Sequence, residues 1–93
     1  MSDRILLVED ADTLRDVVAT LLQAQGFVVD AFPSAETALP ALQSHTYSCV
    51  LADFKLPKKN GIELLKETRA ISASVPFVIM TAYSSVDIAV EAM

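Results

Sequence analysis

Short apolar runs alternate with amphipathic stretches along this chain, and the alternation predicts four strands and four helices. The apolar runs lie at residues 5–8, 27–32, 47–52 and 75–80. Each run is short and almost continuously apolar, which is typical of a strand that is buried on both faces of a parallel sheet. The order βαβαβαβα therefore favours an α/β fold, a doubly wound parallel sheet with helices on both faces.

A helical pattern follows each apolar run. After the first run, five apolar side chains recur at i, i+3, i+4, i+7 and i+8, the spacing of the apolar stripe of an amphipathic helix: Leu14, Val17, Val18, Leu21 and Leu22. Asp12 suits the start of this helix and Gly26 the residue after its end. Ser34 suits the N-cap of the second helix. Pro40 predicts a kink or a shortened helix there, because an internal proline removes a backbone hydrogen bond. A third helix follows Gly61.

Composition and charge narrow the class of protein. The 93 residues are 53% hydrophobic and carry a formal charge of −5, which predicts one small acidic domain. An acidic chain repels nucleic acid, so we expect no direct nucleic-acid contact by this segment. Cys49 is the only cysteine, which favours a reducing cytoplasm. The sequence contains neither a signal peptide nor an apolar stretch long enough to cross a membrane, so we expect a cytoplasmic location without membrane contact.

Three of the four predicted strands end in a polar functional group. Glu9 and Asp10 follow the first strand, Asp53 follows the third, and Thr81 follows the fourth. Ligands in open α/β sheets bind at the carboxyl ends of the strands, so we expect these groups to converge at one edge. Converging carboxylates repel one another unless a cation neutralises them, and oxygen ligands suit Mg²⁺. A carboxylate beside Mg²⁺ can act as a nucleophile toward a phosphoryl group.

Taken together, these features resemble the receiver domains of two-component response regulators, and the resemblance covers the whole chain. Three segments carry it: ILLVEDAD followed by Leu14-Arg15, then VLADFKLPKKNGIELL, then PFVIMTAYSS. They are similar to the family's acidic-pair motif, its phosphoacceptor motif, and its fourth strand with the switch hydroxyl. The resemblance implies a flavodoxin-like doubly wound parallel sheet with strand order 2-1-3-4, to which the family adds a fifth strand and helix.

The resemblance also implies a role for each matched residue. Asp53 stands at the position of the phosphoacceptor, Asp10 at that of the direct metal ligand, and Glu9 at that of its partner through water. Lys55 stands where a backbone carbonyl completes the metal site, and Thr81 where a hydroxyl moves toward the phosphoryl group. The implied cofactor is Mg²⁺. The implied partner is a sensor histidine kinase or a phosphotransfer protein, whose phosphohistidine is the donor.

The chain departs from the family pattern after its fourth helix. No residue matches the fifth strand, the last helix or the lysine that pairs with the phosphoryl group, so we expect residues 1–93 to be an incomplete receiver domain. The fourth strand would then form an uncovered sheet edge. That edge favours either a fragment of a longer protein or a homodimer through the edge or the last helix. Lys58 and Lys59 are unusual in the loop after Asp53, and we expect them to be solvated.

Three functions remain open at this point. The first is a non-enzymatic phosphoacceptor switch that controls an output domain, and TAYSSVDIAVEAM resembles receivers of sigma-54-dependent, NtrC-type transcriptional activators. The second is a phosphorylation-independent interaction module, for which the unmatched lysine argues. The third is a phosphatase with Asp10 as nucleophile, because residues 10–13 resemble the DxD motif of haloacid-dehalogenase-like enzymes. In that motif the threonine would follow one position later, and the chain has no room for the later motifs. A nucleotide- or flavin-binding module is disfavoured, since no glycine-rich loop follows the first strand.

Overall fold

The computed structural model describes residues 3–80, in which strands and helices alternate in the predicted order. The elements are β1 (Arg4–Val8), α1 (Asp12–Ala24), β2 (Val28–Phe32), α2 (Ala35–Ser44), β3 (Cys49–Asp53), α3 (Gly61–Ile71) and β4 (Phe77–Met80). Thr81 and the predicted fourth helix lie outside the described residues. None of the three described helices is long and apolar enough to cross a membrane.

The four strands form one parallel sheet in the order β2-β1-β3-β4. This arrangement confirms the predicted flavodoxin-like topology for the described part of the chain. The central pair is aligned so that Val8 of β1 lies opposite Ala52 of β3. The next residues along the chain, Glu9 and Asp53, therefore lie side by side at the carboxyl edge of the sheet.

The main core lies between the sheet and the helices α2 and α3. Alternate residues of the two central strands face it, because successive side chains of a strand point to opposite faces. The fully or almost fully buried members of this cluster are Leu6, Val8, Ala35, Ala38, Leu42, Tyr47, Val50, Ala52, Leu64 and Val75. Burial of these apolar side chains is the dominant favourable contribution to the fold.

The opposite face of the sheet is covered less completely. Of the five residues of the apolar stripe of α1, Leu14, Val17 and Leu21 are 48%, 48% and 62% exposed, while Val18 and Leu22 are half-buried. The predicted helix is confirmed, and its apolar stripe is only partly buried. In the described part of the chain, α1 packs on β1 and β2, and these contacts leave part of its apolar face exposed.

The observed ends of the helices test the capping residues and the proline from which those ends were predicted. The hydroxyl of Ser34 accepts a hydrogen bond from the first turn of α2, as expected of an N-cap. α2 continues through Pro40 to its end, so the proline does not shorten it. Ala11 is the N-cap of α1, and the predicted cap, Asp12, lies in the first turn instead. Gly26 follows α1 with a φ of +96°, a conformation that glycine adopts without strain.

Candidate metal centre

Three carboxylates converge at the carboxyl edge of the sheet. Glu9 follows the last residue of β1, Asp10 is next in the chain, and Asp53 ends the neighbouring strand β3. One carboxylate oxygen from each residue lies within 4.8 Å of the others. The alignment of β1 with β3 produces this cluster, since it places Glu9 and Asp53 next to each other at the carboxyl ends of adjacent strands. The predicted convergence of these three residues is therefore present in the fold.

Glu9 is the buried member of the cluster. Its exposure is 2%, whereas Asp53 is half-buried and Asp10 is exposed. Burial raises the pKa of the Glu9 carboxyl, the hydrogen bond from the backbone N–H of Ala11 opposes that shift, and the neighbouring Asp10 and Asp53 raise the pKa further. The Ala11 nitrogen lies 3.0 Å from Oε2 of Glu9. The surroundings of Glu9 therefore disfavour the ionised form of its carboxyl group.

The donor set and its electrostatics fit a hard divalent cation. All three side chains offer oxygen, and Mg²⁺ binds through a few carboxylates while keeping several waters. A bound cation would offset both the burial of Glu9 and the repulsion among the three carboxylates. The mixture of one buried, one half-buried and one exposed residue leaves the site open to solvent on one side. Such openness is what a site that also accepts a phosphoryl group requires.

The loop between β3 and α3 is fixed from both ends. The backbone N–H of Phe54 donates to the carbonyl of Met80 at 2.9 Å, and that of Gly61 donates to the carbonyl of Phe54 at 2.8 Å. Asn60 and Glu63 form a capping box at the start of α3, each side chain accepting from the other's backbone. These contacts hold the backbone directly after Asp53 in one place.

Gly61 allows the start of α3 to approach the end of β3. A Cβ at this position would lie 2.8 Å from the carbonyl oxygen of Asp53 and 3.1 Å from Cα of Phe54. Both of those atoms belong to the backbone, so neither can move aside cheaply. The sequence marked Gly61 as the residue that precedes the third helix, and the structure makes it the first residue of α3. The close approach to Asp53 becomes visible only once the fold is known.

The two consecutive lysines of this loop are directed toward neighbouring helices. Lys59 forms an ion pair with Glu67 of α3. The side chain of Lys58 is 77% exposed, with its ammonium 3.8 Å from the carboxylate of Glu36 on α2, and its backbone adopts a φ of +66°. Exposure of Lys58 agrees with the expected solvated loop lysine, while Lys59 is partly buried in its ion pair.

The remaining predicted site residues stand as follows. Lys55 is exposed and lies two residues after Asp53, so its carbonyl belongs to the same loop. Its role as a metal ligand stays a prediction. Thr81 lies outside the described residues, although the residue before it, Met80, is the β4 partner of Asp53.

Comparison with known proteins agrees with this geometry. The family model of the response regulator receiver domain matches residues 5–93. The chain is 39% identical over 96% of its length to the transcriptional regulatory protein FixJ of Bradyrhizobium diazoefficiens. It is 37% identical over 98% of its length to the regulatory protein AtoC of Escherichia coli. Receivers of the NtrC type, such as those of AtoC and ZraR, are thus among its relatives, as the sequence indicated.

Solved structures match the same fold. A CheY-like receiver domain protein from Methanospirillum hungatei superimposes with a TM-score of 0.90 at 26% identity, over 98% of this chain and 73% of that one. The response regulator TrrA of Thermotoga maritima, solved in complex with Mg²⁺ and BeF, gives a TM-score of 0.83 at 32% identity, over 88% of this chain and 71% of that one. The chain spans 43% of the length of FixJ and 20% of that of AtoC.

Proposed function

Because this chain belongs to the response regulator receiver domain family, we propose that it is a phosphorylation-controlled switch whose phosphoacceptor is Asp53. Receiver domains are generally signalling domains of two-component systems rather than enzymes, and many control transcription. The observation that carries the proposal is the convergence of the Glu9, Asp10 and Asp53 carboxylates within 4.8 Å. Asp53 is the member that ends a central strand, and it is half-buried.

The acidic cluster would hold Mg²⁺, the cation that receiver domains bind at their acidic pocket. Asp10 and Asp53 would be direct ligands, Glu9 would act through water, and the backbone carbonyl of Lys55 would complete the set. The bound ion would neutralise negative charge on the incoming phosphoryl group and on the carboxylates. Glu9 gains most from this neutralisation, because its charge is the most deeply buried of the three.

Phosphoryl transfer to Asp53 then needs little from the protein beyond the correct placement of the reacting groups. A carboxylate oxygen of Asp53 attacks the phosphorus in line with the bond that joins it to the donor histidine nitrogen. The new P–O bond forms an acyl phosphate, the P–N bond breaks, and its electron pair leaves with the imidazole. We propose that the hydroxyl of Thr81 then donates a hydrogen bond to a phosphoryl oxygen and so couples the modification to the rest of the domain.

The partners follow from this role. Receiver domains interact with histidine kinases or phosphotransfer proteins, and we propose a phosphohistidine on one of these as the donor for this chain. The curated relatives FixJ and AtoC are named as regulators, and FixJ as a transcriptional one. We therefore propose an output domain that controls transcription, and a homodimer through the β4 edge or the last helix as its means of assembly.

Mass spectrometry tests the assignment of Asp53 directly. The chain is incubated with acetyl phosphate, with and without Mg²⁺, and its intact mass is compared with those of Asp53→Asn, Asp10→Asn and Asp16→Asn. Asp16 is an exposed carboxylate on α1 and serves as the matched control. We expect one phosphoryl adduct in the wild type and in Asp16→Asn, dependence on Mg²⁺ in both, and no adduct in Asp53→Asn.

Mapping the label separates this function from its competitors. A label on Asp53 supports the switch. A label on Asp10 would replace it by an enzyme that uses Asp10 as nucleophile. A chain that binds Mg²⁺ but never forms an adduct would instead be a phosphorylation-independent interaction module.

A further inference from the structure

We propose that Arg15 is a positioning residue for the metal centre, because it holds the turn that carries Asp10. The inference rests on the proposed function of the acidic cluster and adds to it a residue that contacts neither the metal nor the phosphoryl group. Asp10 is exposed and stands in the turn between β1 and α1, so the direction of its carboxylate depends on how firmly that turn is held.

Arg15 binds the carbonyl groups on both sides of Asp10. Its Nη1 donates to the carbonyl oxygen of Glu9 at 2.9 Å, and its backbone N–H donates to the carbonyl oxygen of Ala11 at 2.8 Å. The second bond is the ordinary first bond of α1, but the first is a specific contact of the side chain. One residue therefore binds the carbonyl of the residue before the metal ligand and that of the residue after it.

A third hydrogen bond fixes the guanidinium itself. Nη2 of Arg15 donates to Oδ1 of Asp12 at 2.6 Å, and the Arg15 side chain is 18% exposed. The exposed Asp12 thus holds the guanidinium in the orientation that reaches Glu9. The turn is closed on its other side by the bond from the Ala11 nitrogen to the Glu9 carboxylate. Loss of the Arg15 side chain would remove the hydrogen bond that the carbonyl of Glu9 accepts from it.

Geometry and charge make opposite predictions for this residue, which makes the inference testable. A guanidinium near an acidic cluster repels Mg²⁺, so if charge dominated, its removal would tighten metal binding. If position dominates, its removal weakens metal binding. Lysine retains the charge but lacks the planar fork that serves two acceptors at once. Arg15→Lys therefore changes the geometry and leaves the charge unchanged.

The first experiment measures Mg²⁺ affinity by titration calorimetry in the whole chain, Arg15→Lys, Arg15→Ala and a control, Arg69→Lys. Arg69 of α3 also donates through Nη1 to a backbone carbonyl, that of Val75, at 2.6 Å, but it lies near the other edge of the sheet. Loss of residues that orient metal ligands commonly weakens metal binding by about 10-fold or more. We expect a loss of that size in both Arg15 variants and no change in Arg69→Lys. Wild-type or tighter binding by Arg15→Lys would overturn the inference.

A second measurement separates this inference from the proposed function. The hydrogen-exchange rate of the Ala11 amide is measured without Mg²⁺, in the wild type and in Arg15→Lys, alongside thermal unfolding of both. We expect exchange at Ala11 to accelerate several-fold in Arg15→Lys, with amides of the central strands unaffected. If the wild type binds no Mg²⁺, the proposed metal centre fails, and the exchange rate alone decides whether Arg15 holds the turn. An unchanged rate would show that it does not.

Discussion

The phenolic hydroxyl of Tyr47 donates a hydrogen bond of 2.7 Å to Oδ2 of Asp30. Nη1 of Arg4 donates to the same oxygen at 2.8 Å. Asp30 lies on β2, Arg4 on β1, and Tyr47 in the segment that enters β3, so one carboxylate oxygen joins three neighbouring parts of the sheet. Tyr47 is otherwise packed in the main core, with an exposure of 6%. The link therefore anchors the edge strand β2 to the buried centre of the fold.

Replacement of Tyr47 by phenylalanine tests the strength of this link. The ring stays and the donor is lost, so the expected cost is about 1.5–3 kcal/mol, the range for hydrogen bonds to charged groups. Arg4→Met is the comparison, because it removes the other, more exposed donor to the same oxygen. We expect it to cost less than about 1 kcal/mol, as for surface ion pairs. Urea unfolding measures both, and equal costs would contradict the assignment of the main contribution to Tyr47.

The contribution of Asp30 depends on pH in a defined direction. Burial alone would raise the pKa of the Asp30 carboxyl, but the hydrogen bonds from Tyr47 and Arg4 lower it below its ordinary value of 3.8. The folded-state pKa thus lies below the unfolded one. The stabilisation is present above the unfolded value and is lost as the pH falls toward the folded value. We expect the difference in unfolding free energy between wild type and Tyr47→Phe to shrink below pH 3.8 and to stay constant near neutral pH.

A methyl group at Gly61 should disturb the candidate site and the fold together. Because its Cβ would meet the backbone of Asp53 and Phe54 at 2.8 and 3.1 Å, we expect Gly61→Ala to cost about 1–3 kcal/mol, as overpacking does. We also expect a lower yield of the phosphoryl adduct, since the displaced atoms adjoin the phosphoacceptor. Denaturant unfolding and intact mass give the two readouts.

Gly26→Ala is the control for that prediction. Gly26 has no atom within 4 Å of an added Cβ, but its φ of +96° is unfavourable for alanine. We expect it to lose about 1–2 kcal/mol of stability from backbone conformation and to form the adduct normally. Equal adduct yields in the two alanine variants would show that the approach of Gly61 to Asp53 does not shape the site.

Removal of one carboxylate from the cluster should stabilise the protein in the absence of Mg²⁺ and reduce the further stabilisation that Mg²⁺ provides. In the absence of the ion, Asp10→Asn relieves repulsion among the three acids, so we expect its Tm to rise. In the presence of the ion, the wild type gains about 1.4 kcal/mol at a Mg²⁺ concentration ten times its Kd, and the variant gains much less. Thermal unfolding in EDTA and in Mg²⁺ gives both values. An Asp10→Asn protein that Mg²⁺ stabilises as strongly as the wild type would show that Asp10 is not a ligand.

The sheet and the acidic cluster could be predicted from the sequence because both follow from short-range patterns combined with one topological rule. Continuous apolar runs mark buried parallel strands, and parallel strands present their carboxyl ends at one edge. Glu9, Asp10 and Asp53 therefore converge although Asp53 lies more than forty residues after the other two in the chain. The bond from Arg15 to the carbonyl of Glu9 could not be predicted, although Leu14-Arg15 belongs to the first matched segment. The sequence places a basic residue near the start of α1 but does not show which backbone carbonyl its side chain reaches, because that depends on the conformation of the preceding turn.

The first helix shows a second limit of periodicity. The spacing of apolar residues in α1 shows which side chains share a helical face, but not how much of that face the sheet covers. The Asp12 side chain likewise binds Arg15 rather than capping α1, and propensity at a single position does not distinguish these outcomes. Both features concern the partner of a side chain, which is set by the fold and not by local sequence.

The exposed part of the α1 stripe leads to a last prediction. Replacement of leucine by alanine should lower the unfolding free energy by very different amounts at two helical positions. Leu21 on α1 is 62% exposed and Leu64 on α3 is fully buried. Leu64→Ala should cost about 2–5 kcal/mol, because it removes buried methyl groups and leaves a cavity. Leu21→Ala should change the unfolding free energy by no more than about 0.5 kcal/mol, as surface substitutions do. Both values come from urea unfolding at low protein concentration. If Leu21→Ala proved as costly as Leu64→Ala, the stripe would be covered in solution, and a dependence of that cost on protein concentration would identify the cover as a second copy of the chain.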